Sequence, residues 1–276
     1  AREWRELTDW LASHTVPHAQ IRNVWQAALD ELKGKPELDL VAREVAKHYV
    51  KLGAYEHPDA LRAFETGAAS SDPALQAWTL VKRAEGEVLA GRYDRAEVLL
   101  DTTPGIDDPL IRAEAALTRA GIMRWRSQLA DAAEVVRKQV RPELKRLVGT
   151  PSSGQAKQAL TKAALWEGLI AKDRGELEAA LAAFDSADAG DDLVRARIEF
   201  QRGDVSMRLG RLDAALRALD AAVELSRRSE ALAQEQARYL ARRGKLHRLR
   251  GEMTASSQDF EAAREMIGSA ELEADE

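Results

Sequence analysis

The sequence predicts an all-α fold. Good helix formers dominate the 276 residues, aromatic residues make up only 5% of the chain, and β-branched residues are too sparse for a large sheet. Only 17 glycines and 8 prolines interrupt the chain, and many of the glycines recur at one spacing. Together these observations predict a series of helices joined by short turns.

The first two helices are predicted to precede the repeated part of the chain. Apolar side chains recur at helical spacing on two successive segments within residues 1–38. The first segment carries Trp4, Leu7, Trp10 and Leu11, and the second carries Ile21, Val24, Trp25, Ala28, Leu29 and Leu32. We expect the tryptophans to cap and bury the first repeat rather than to bind a ligand.

Pairs of glycines seven residues apart mark the repeats. These pairs are Gly168 and Gly175, Gly203 and Gly210, and Gly244 and Gly251. A glycine inside a helix costs about 1 kcal/mol relative to alanine. The repeated cost at the first position therefore predicts that two helices cross closely there. The second glycine predicts a helix end in the left-handed conformation.

A second helix is predicted after each glycine pair. Apolar or small residues follow the second glycine at offsets of two, five, nine and twelve, which places them on one helix face. They are Leu177, Ala180, Phe184 and Ala187; Leu212, Ala215, Leu219 and Ala222; and Met253, Ser256, Phe260 and Ala263. Each unit is therefore predicted to be a helix, a short turn and a second helix.

This pattern resembles the tetratricopeptide repeat (TPR), in which small residues lie where the two helices of a unit cross. The stretch from Gly168 to Ala187 fits that repeat well, and looser copies begin at Ala46, Ala84 and Ala120. The turn positions fall at residues 53, 91, 127, 175, 210 and 251. The resemblance implies about six repeats stacked as a right-handed α-solenoid, with the first helix of each unit lining a concave groove.

The predicted organisation has three parts: an N-terminal helical cap (1–38), a TPR-like solenoid (39–270) and an acidic tail (271–276). The widest gap between turn positions lies between 127 and 175. It predicts a lengthened second helix through Arg137 to Lys145, followed by a polar loop around 148–156.

Two short segments carry a second resemblance. Residues 7–11 and 45–64 are similar to the helical segment that follows the ATPase core in STAND-type regulatory ATPases. That resemblance implies a sensor array that acts on an effector domain of the same longer protein. It would fit a chain that begins with Ala1.

Neither an enzyme nor a cofactor is predicted. The chain has no cysteine, which excludes disulfides, thiolate ligands and cysteine nucleophiles. The loop from Gly149 to Gly154 has the glycine spacing of a phosphate-binding loop. However, Gln155 and Ala156 occupy the positions where that motif requires Lys and then Ser or Thr.

No metal site is predicted either. His14 and His18 are four residues apart, but no acidic residue follows in a metalloprotease spacing. The cluster Asp185, Asp188, Asp191 and Asp192 lacks the closing acid of a calcium loop, since Ala196 occupies that position. We expect both groups to be solvated helix ends.

The candidate binding residues lie on the first helices of the last three units. The repeat register places Lys162, Lys172, Arg197, Phe200, Met207, Arg238, Lys245 and Arg248 in the groove. Arg242 joins them from the dense basic stretch Arg238–Arg250. Basic groups interleaved with apolar ones suit an acidic or carboxylate-bearing segment, because a guanidinium binds carboxylates bidentately. The competing interpretation is a solvated face whose cations pair with carboxylates of neighbouring helices.

The leading hypothesis is a non-enzymatic, cytoplasmic scaffold that binds a protein or peptide. One alternative is a small-molecule (inducer) sensor with a closed apolar pocket near Phe200 and Met207. Another is a nucleic-acid-associated module acting through the basic stretch Arg238–Arg250. The formal net charge of −5 disfavours nucleic acid as the partner. A membrane partner is not expected, because no apolar run of about 18 residues occurs.

Overall fold

The predicted all-α fold is confirmed by a computed structural model, which describes residues 2–14, 16–187, 192–228 and 233–274. Within those ranges every regular element is helical. The chain divides into two compact units, Ala1–Arg126 and Ser127–Glu276. The division into cap, solenoid and tail stays a prediction. Of the predicted acidic tail, residues 275 and 276 lie outside the described residues, as do Asp188 and Asp191 of the aspartate cluster.

The helices follow one another along the chain with short connections. The first unit contains α1 (Arg2–Ser13), α2 (His18–Glu31), α3 (Glu37–Leu52), α4 (Pro58–Ala68), α5 (Pro73–Leu89), α6 (Tyr93–Asp101) and α7 (Pro109–Trp125). The second contains α8 (Leu129–Val135), a π-helical segment (Val136–Val140), α9 (Arg141–Leu147), α10 (Ser153–Asp173), α11 (Leu177–Asp185), α12 (Asp192–Arg208), α13 (Leu212–Arg227), α14 (Ala233–Leu249) and α15 (Met253–Ala274).

The core of the first unit joins the two N-terminal helices to the first helix pair. Trp25 and Tyr49 are fully buried in one cluster with Phe64. Trp25 therefore has the structural role that the sequence predicted. Trp10 differs, since 44% of it is exposed and its ring stacks on His14. One residue turns an α-helix by about 100°, so Trp10 points well away from the buried stripe that contains its neighbour Leu11.

The predicted close crossings are present in the second unit. A Cβ added to Gly203 would lie 2.6 Å from Cγ of Leu219, and one added to Gly244 would lie 3.2 Å from the carbonyl oxygen of Ser256. A Cβ on Gly168 would collide with the ring of Phe184. A side chain at these positions would therefore push apart the helix pairs α10–α11, α12–α13 and α14–α15.

All six predicted turn positions have the left-handed backbone conformation. Their φ angles are 72° at Gly53, 75° at Gly91, 62° at Ser127, 81° at Gly175, 73° at Gly210 and 80° at Gly251. Among the described residues Ser127 is the only non-glycine with positive φ. The chain therefore has the TPR-like helix-turn-helix architecture that the glycine spacing predicted.

The lengthened second helix is also present. Residues 129–147 are helical without a break, as α8, the π-helical segment and α9. Pro142 has no N–H and its ring crowds the carbonyl four residues earlier. The helix widens just before it, where the N–H of Arg141 bonds to the carbonyl of Val136. The following loop spans only residues 148–152, because α10 already begins at Ser153.

Candidate partner-binding site

The predicted binding residues lie on three neighbouring helices of the second unit. Helix α10 carries Lys162 and Lys172, α12 carries Arg197, Phe200 and Met207, and α14 carries Arg238, Arg242, Lys245 and Arg248. Helix α12 packs against both α10 and α14. We call these side chains, with Asp204 and Glu235, the α10–α12–α14 face. Lys162 lies ten residues before Lys172, about 15 Å away along the helix.

Asp204 joins cations from the two flanking helices. Its carboxylate lies 2.7 Å from Nη1 of Arg242 and 3.4 Å from Nζ of Lys172. Nζ of Lys172 also donates to Oε1 of Gln201 at 2.5 Å. Asp204 is only 8% exposed, so the low local dielectric strengthens both attractions. The carboxylate therefore fixes the positions of two predicted binding cations.

Glu235 has the same role for two further arginines. Its carboxylate accepts from Nε of Arg197 at 2.8 Å, from the hydroxyl of Tyr239 at 2.7 Å and from Nη2 of Arg238 at 3.3 Å. Burial acts to raise the pKa of Glu235, but the hydrogen bond and the charge of Arg197 outweigh it, so the pKa lies below its usual range. Burial and then the charge of Glu235 raise the pKa of Tyr239. Glu235 is therefore a carboxylate and Tyr239 a neutral donor at neutral pH.

An aromatic pair supports the exposed guanidinium groups. The rings of Phe200 and Tyr239 stack with a centroid separation of 4.8 Å. The guanidinium carbon of Arg238 lies 4.8 Å from the centre of the Phe200 ring, and that of Arg242 lies 6.0 Å from it. These distances are typical of cation–π contacts. Phe200 itself is 5% exposed, so it supports the arginines from below rather than lining an open pocket.

Other members of the face are open to solvent. Lys245 and Arg248 are exposed, and they make no ion pair within the part of the chain that the structure describes. Met207 is half-buried, and 59% of the Arg238 side chain is exposed. These four side chains give a partner two freely available charges, a partly paired guanidinium and an adaptable apolar surface.

The cations outnumber the carboxylates that hold them. Asp204 and Glu235 lie within a group of six cations. The six are Lys172, Arg197, Arg238, Arg242, Lys245 and Arg248. The group therefore has a net charge of +4. Pairing with neighbouring helices does occur, as the competing interpretation predicted, but it neutralises only part of the charge.

The basic stretch Arg238–Arg250 does not form one continuous surface. Arg243 bonds to Asp259 at 2.7 Å and to Asp220 at 2.9 Å, which directs it towards α15 and α13. Arg250 pairs with Asp213 of α13 and Glu252. These two arginines therefore stabilise the contact with second helices, and the α10–α12–α14 face has fewer basic groups than the sequence alone indicates.

The first unit carries a different charge pattern on its first helices. Nζ of Lys82 on α5 lies 2.7 Å from Glu114 of α7 and 3.2 Å from Glu85. Lys82 is 5% exposed. Burial acts to lower the pKa of Lys82, but Glu114 and Glu85 outweigh it and raise the pKa well above its usual range. One buried lysine between two carboxylates leaves this group with a net negative charge.

Other kinds of site find less support. No group of three or more His, Asp or Glu residues within the described ranges could hold a metal ion. In those ranges no helix is long and apolar enough to cross a membrane. Two clefts beside α12 have Arg202 in their walls, with Ile198 in one and Ser206 in the other. Neither cleft is lined by Phe200 or Met207.

Comparison with known proteins gives only distant likenesses. No protein-family model matches the sequence, and no curated protein matches it. The human IFIT1 dimer with PPP-AAAA is similar at 12% identity over 88% of this chain and 67% of that chain, with a TM-score of 0.43. A chain of the APC/C hetero-tetramer Cut9-Hcn1 is similar at 15% identity, with a TM-score of 0.41; 95% of this chain matches 49% of that one. These TM-scores are too low to support the fold assignment, which rests instead on the helix pairs seen in the structure.

Proposed function

We propose that this protein is a non-enzymatic interaction scaffold whose α10–α12–α14 face binds an acidic segment of a protein or peptide. The observation that carries the proposal is a group of six cations, four of which Asp204 and Glu235 hold in place, while Lys245 and Arg248 make no ion pair among the described residues. Asp204 and Glu235 fix four of the cations before a partner arrives, which lowers the entropy lost on binding. The segment belongs to a separate protein or to an effector domain of a longer chain.

The magnitude of the charge effect constrains the partner. A solvent-exposed ion pair contributes at most about 1 kcal/mol. Four such pairs, one for each unit of net charge, would give about 4 kcal/mol, which corresponds to a dissociation constant of about 1 mM. Tighter binding therefore requires apolar contacts as well. Met207, Leu165 and Leu169 are half-buried residues of the same helices that carry the cations, so a segment with both acidic and apolar side chains fits best.

The test uses short fluorescein-labelled peptides and fluorescence anisotropy. A peptide of alternating Glu and Leu should bind more tightly than one of Glu and Ser, and a peptide of Lys and Leu should not bind. The double variant Arg238→Glu/Arg248→Glu should bind the Glu-Leu peptide roughly thirtyfold more weakly, since two reversals each remove about 1 kcal/mol. Higher salt should weaken binding by the wild type.

A matched control separates a local site from net charge. The double variant Lys138→Glu/Lys145→Glu changes the charge of the same unit by the same amount, at two exposed residues of the lengthened second helix, outside the face. It should bind within about twofold of the wild type, because exposed charges beyond the Debye length of about 10 Å are screened. Equal loss in the two double variants would show that the face is not the binding site.

The two alternative functions are tested with the same variants. A nucleic-acid-associated module would bind labelled oligothymidylate with a strong salt dependence, and it would bind the Glu-Leu peptide no better. A small-molecule sensor would show saturable thermal stabilisation by a metabolite in the absence of any peptide. Either result, without peptide binding, would replace the proposed function.

A further inference from the structure

Three histidines from three helices meet around a buried tyrosine in the first unit. His18 begins α2, His48 lies on α3, and His57 is the residue before α4. The ring centroid of His18 lies 5.1 Å from that of His57 and 6.1 Å from that of His48. The ring of His57 stacks on Tyr49 at 4.6 Å. Three imidazole rings therefore lie close together at the junction of α2, α3 and α4.

His57 can cap helix α4 only while Nδ1 carries no proton. Its Nδ1 accepts a hydrogen bond from the backbone N–H of Asp59 at 3.2 Å. A protonated imidazole has two donors and no acceptor. Protonation at Nδ1 would therefore remove the side-chain cap from the first turn of α4.

His48 is also poorly placed to become charged. Its Nε2 is buried and has no hydrogen-bond partner. A proton there would add a buried donor and a charge without an acceptor, which is unfavourable. Burial lowers the pKa of His48, and the nearby His18 and Lys51 lower it further. The neutral form of His48 is thus the form that the folded unit accommodates.

The carboxylate of Asp59 acts in the opposite direction on the pKa of His57. Burial lowers the pKa of His57, Asp59 acts to raise it, and His18 with Arg22 lower it again, so the pKa stays below its usual value. The Asp59 carboxylate lies 3.8 Å from Nδ1 of His57, but it already accepts from the Tyr49 hydroxyl at 3.3 Å and lies 3.6 Å from Nε of Arg22. It is therefore only partly available to a protonated His57.

Helices α1 and α5 also pack against α3, and the titratable groups on or next to them make contacts elsewhere. Directly after α1, the ring of His14 stacks on Trp10. On α5, Lys82 bonds to Glu114, and Glu87 pairs with Arg92.

We propose that His48 and His57, with the ring of His18 packed against both, form an acid-sensitive latch that holds α2, α3 and α4 together while His48 and His57 are neutral and releases the start of α4 when they are protonated. The latch is independent of the proposed binding function, because all of its residues lie in the first unit. Release would expose the apolar face that begins at the buried Ala60 and continues to Phe64. Acidification would thus alter the first unit locally.

The sign of the pH dependence follows from linkage. The fold lowers the pKa of His48 and His57 below the unfolded value of 6.5. Below about pH 6.5 the open state therefore binds more protons than the closed state, and closing becomes less favourable as the pH falls. Each histidine can change the opening equilibrium by up to about tenfold per pH unit.

Hydrogen–deuterium exchange on the intact chain tests the latch. Exchange of α4 amides, corrected for the intrinsic effect of pH, should show opening that rises about tenfold between about pH 7.5 and 5.5. The variant His48→Gln/His57→Asn cannot titrate at either position, while Asn still caps a helix. Its opening should change by less than about twofold. The control His14→Gln, an exposed residue outside the cluster, should behave like the wild type.

Two results would overturn the latch. One is α4 opening that does not change with pH in the wild type, and the other is full pH dependence in the double variant. If circular dichroism shows that the double variant is unfolded, the single variant His57→Asn decides, since it keeps a capping acceptor. It should lose a large part of the pH dependence, and an unchanged dependence would refute the proposal.

Discussion

Replacing Gly168 by alanine tests the close helix crossing that defines the repeat. The added methyl would lie 2.6 Å from Cζ of Phe184 and 2.5 Å from Cδ1, whereas carbon atoms in contact are about 3.5–4.0 Å apart. Phe184 is 1% exposed, so its ring has no free space to enter. Overpacking costs up to about 3 kcal/mol, and alanine recovers about 1 kcal/mol of helix propensity. The expected net loss is therefore about 2 kcal/mol.

Urea unfolding followed by far-UV circular dichroism measures that loss of stability. The control is a glycine-to-alanine substitution that should instead increase stability. Gly154 is also helical and exposed, and nothing lies within 4 Å of an added Cβ. Gly154→Ala should therefore be stabilising by about 0.5 kcal/mol. Phe184→Leu removes Cε1 and Cζ, so Gly168→Ala should cost at least about 1 kcal/mol less in that background. If the Gly168→Ala variant is as stable as the wild type, then Gly168 and Phe184 do not form the close helix crossing described above.

Three further predictions concern charge and backbone. Lys82→Met should destabilise the first unit by about 3–5 kcal/mol, because Glu85 and Glu114 lose their buried cation; thermal unfolding checks this, and added Glu85→Gln/Glu114→Gln should restore most of the loss. Ser127→Gly should stabilise by about 1 kcal/mol, since φ is 62° there; an unchanged urea midpoint would contradict the backbone argument. Asp204→Asn should weaken binding of the Glu-Leu peptide, since Lys172 and Arg242 lose the carboxylate that holds them in place; unchanged or tighter binding by a folded variant, measured by anisotropy, would count against the preorganised face.

The repeat could be predicted because it depends on local rules. A left-handed turn favours glycine, and a close crossing excludes any side chain, so Gly203 and Gly210 mark both features by residue type alone. Ser127 shows that the register predicts the conformation even where glycine is missing.

The pairing of the charges could not be predicted in the same way. The contact between Asp204 and Arg242 depends on how closely α12 and α14 pack, which one sequence does not specify. The groove positions predicted from the repeat register do not include Glu235. Its spacing of three to Arg238 and four to Tyr239 nevertheless places all three on one helix surface. Arg243 was grouped with the basic stretch, but a rotation of about 100° from Arg242 turns it towards the second helices.

Photo-crosslinking shows directly whether an acidic peptide binds to the α10–α12–α14 face. A Glu-Leu peptide with a photoreactive group at its centre is irradiated with the protein, and the attachment sites are located by mass spectrometry. If the α10–α12–α14 face binds the peptide, crosslinks should form on α12 and α14 at Met207, Ala241 and Lys245, and they should be lost in Arg238→Glu/Arg248→Glu. Crosslinks concentrated on the second helices, at Met253 for example, and unchanged in that variant would contradict binding at this face.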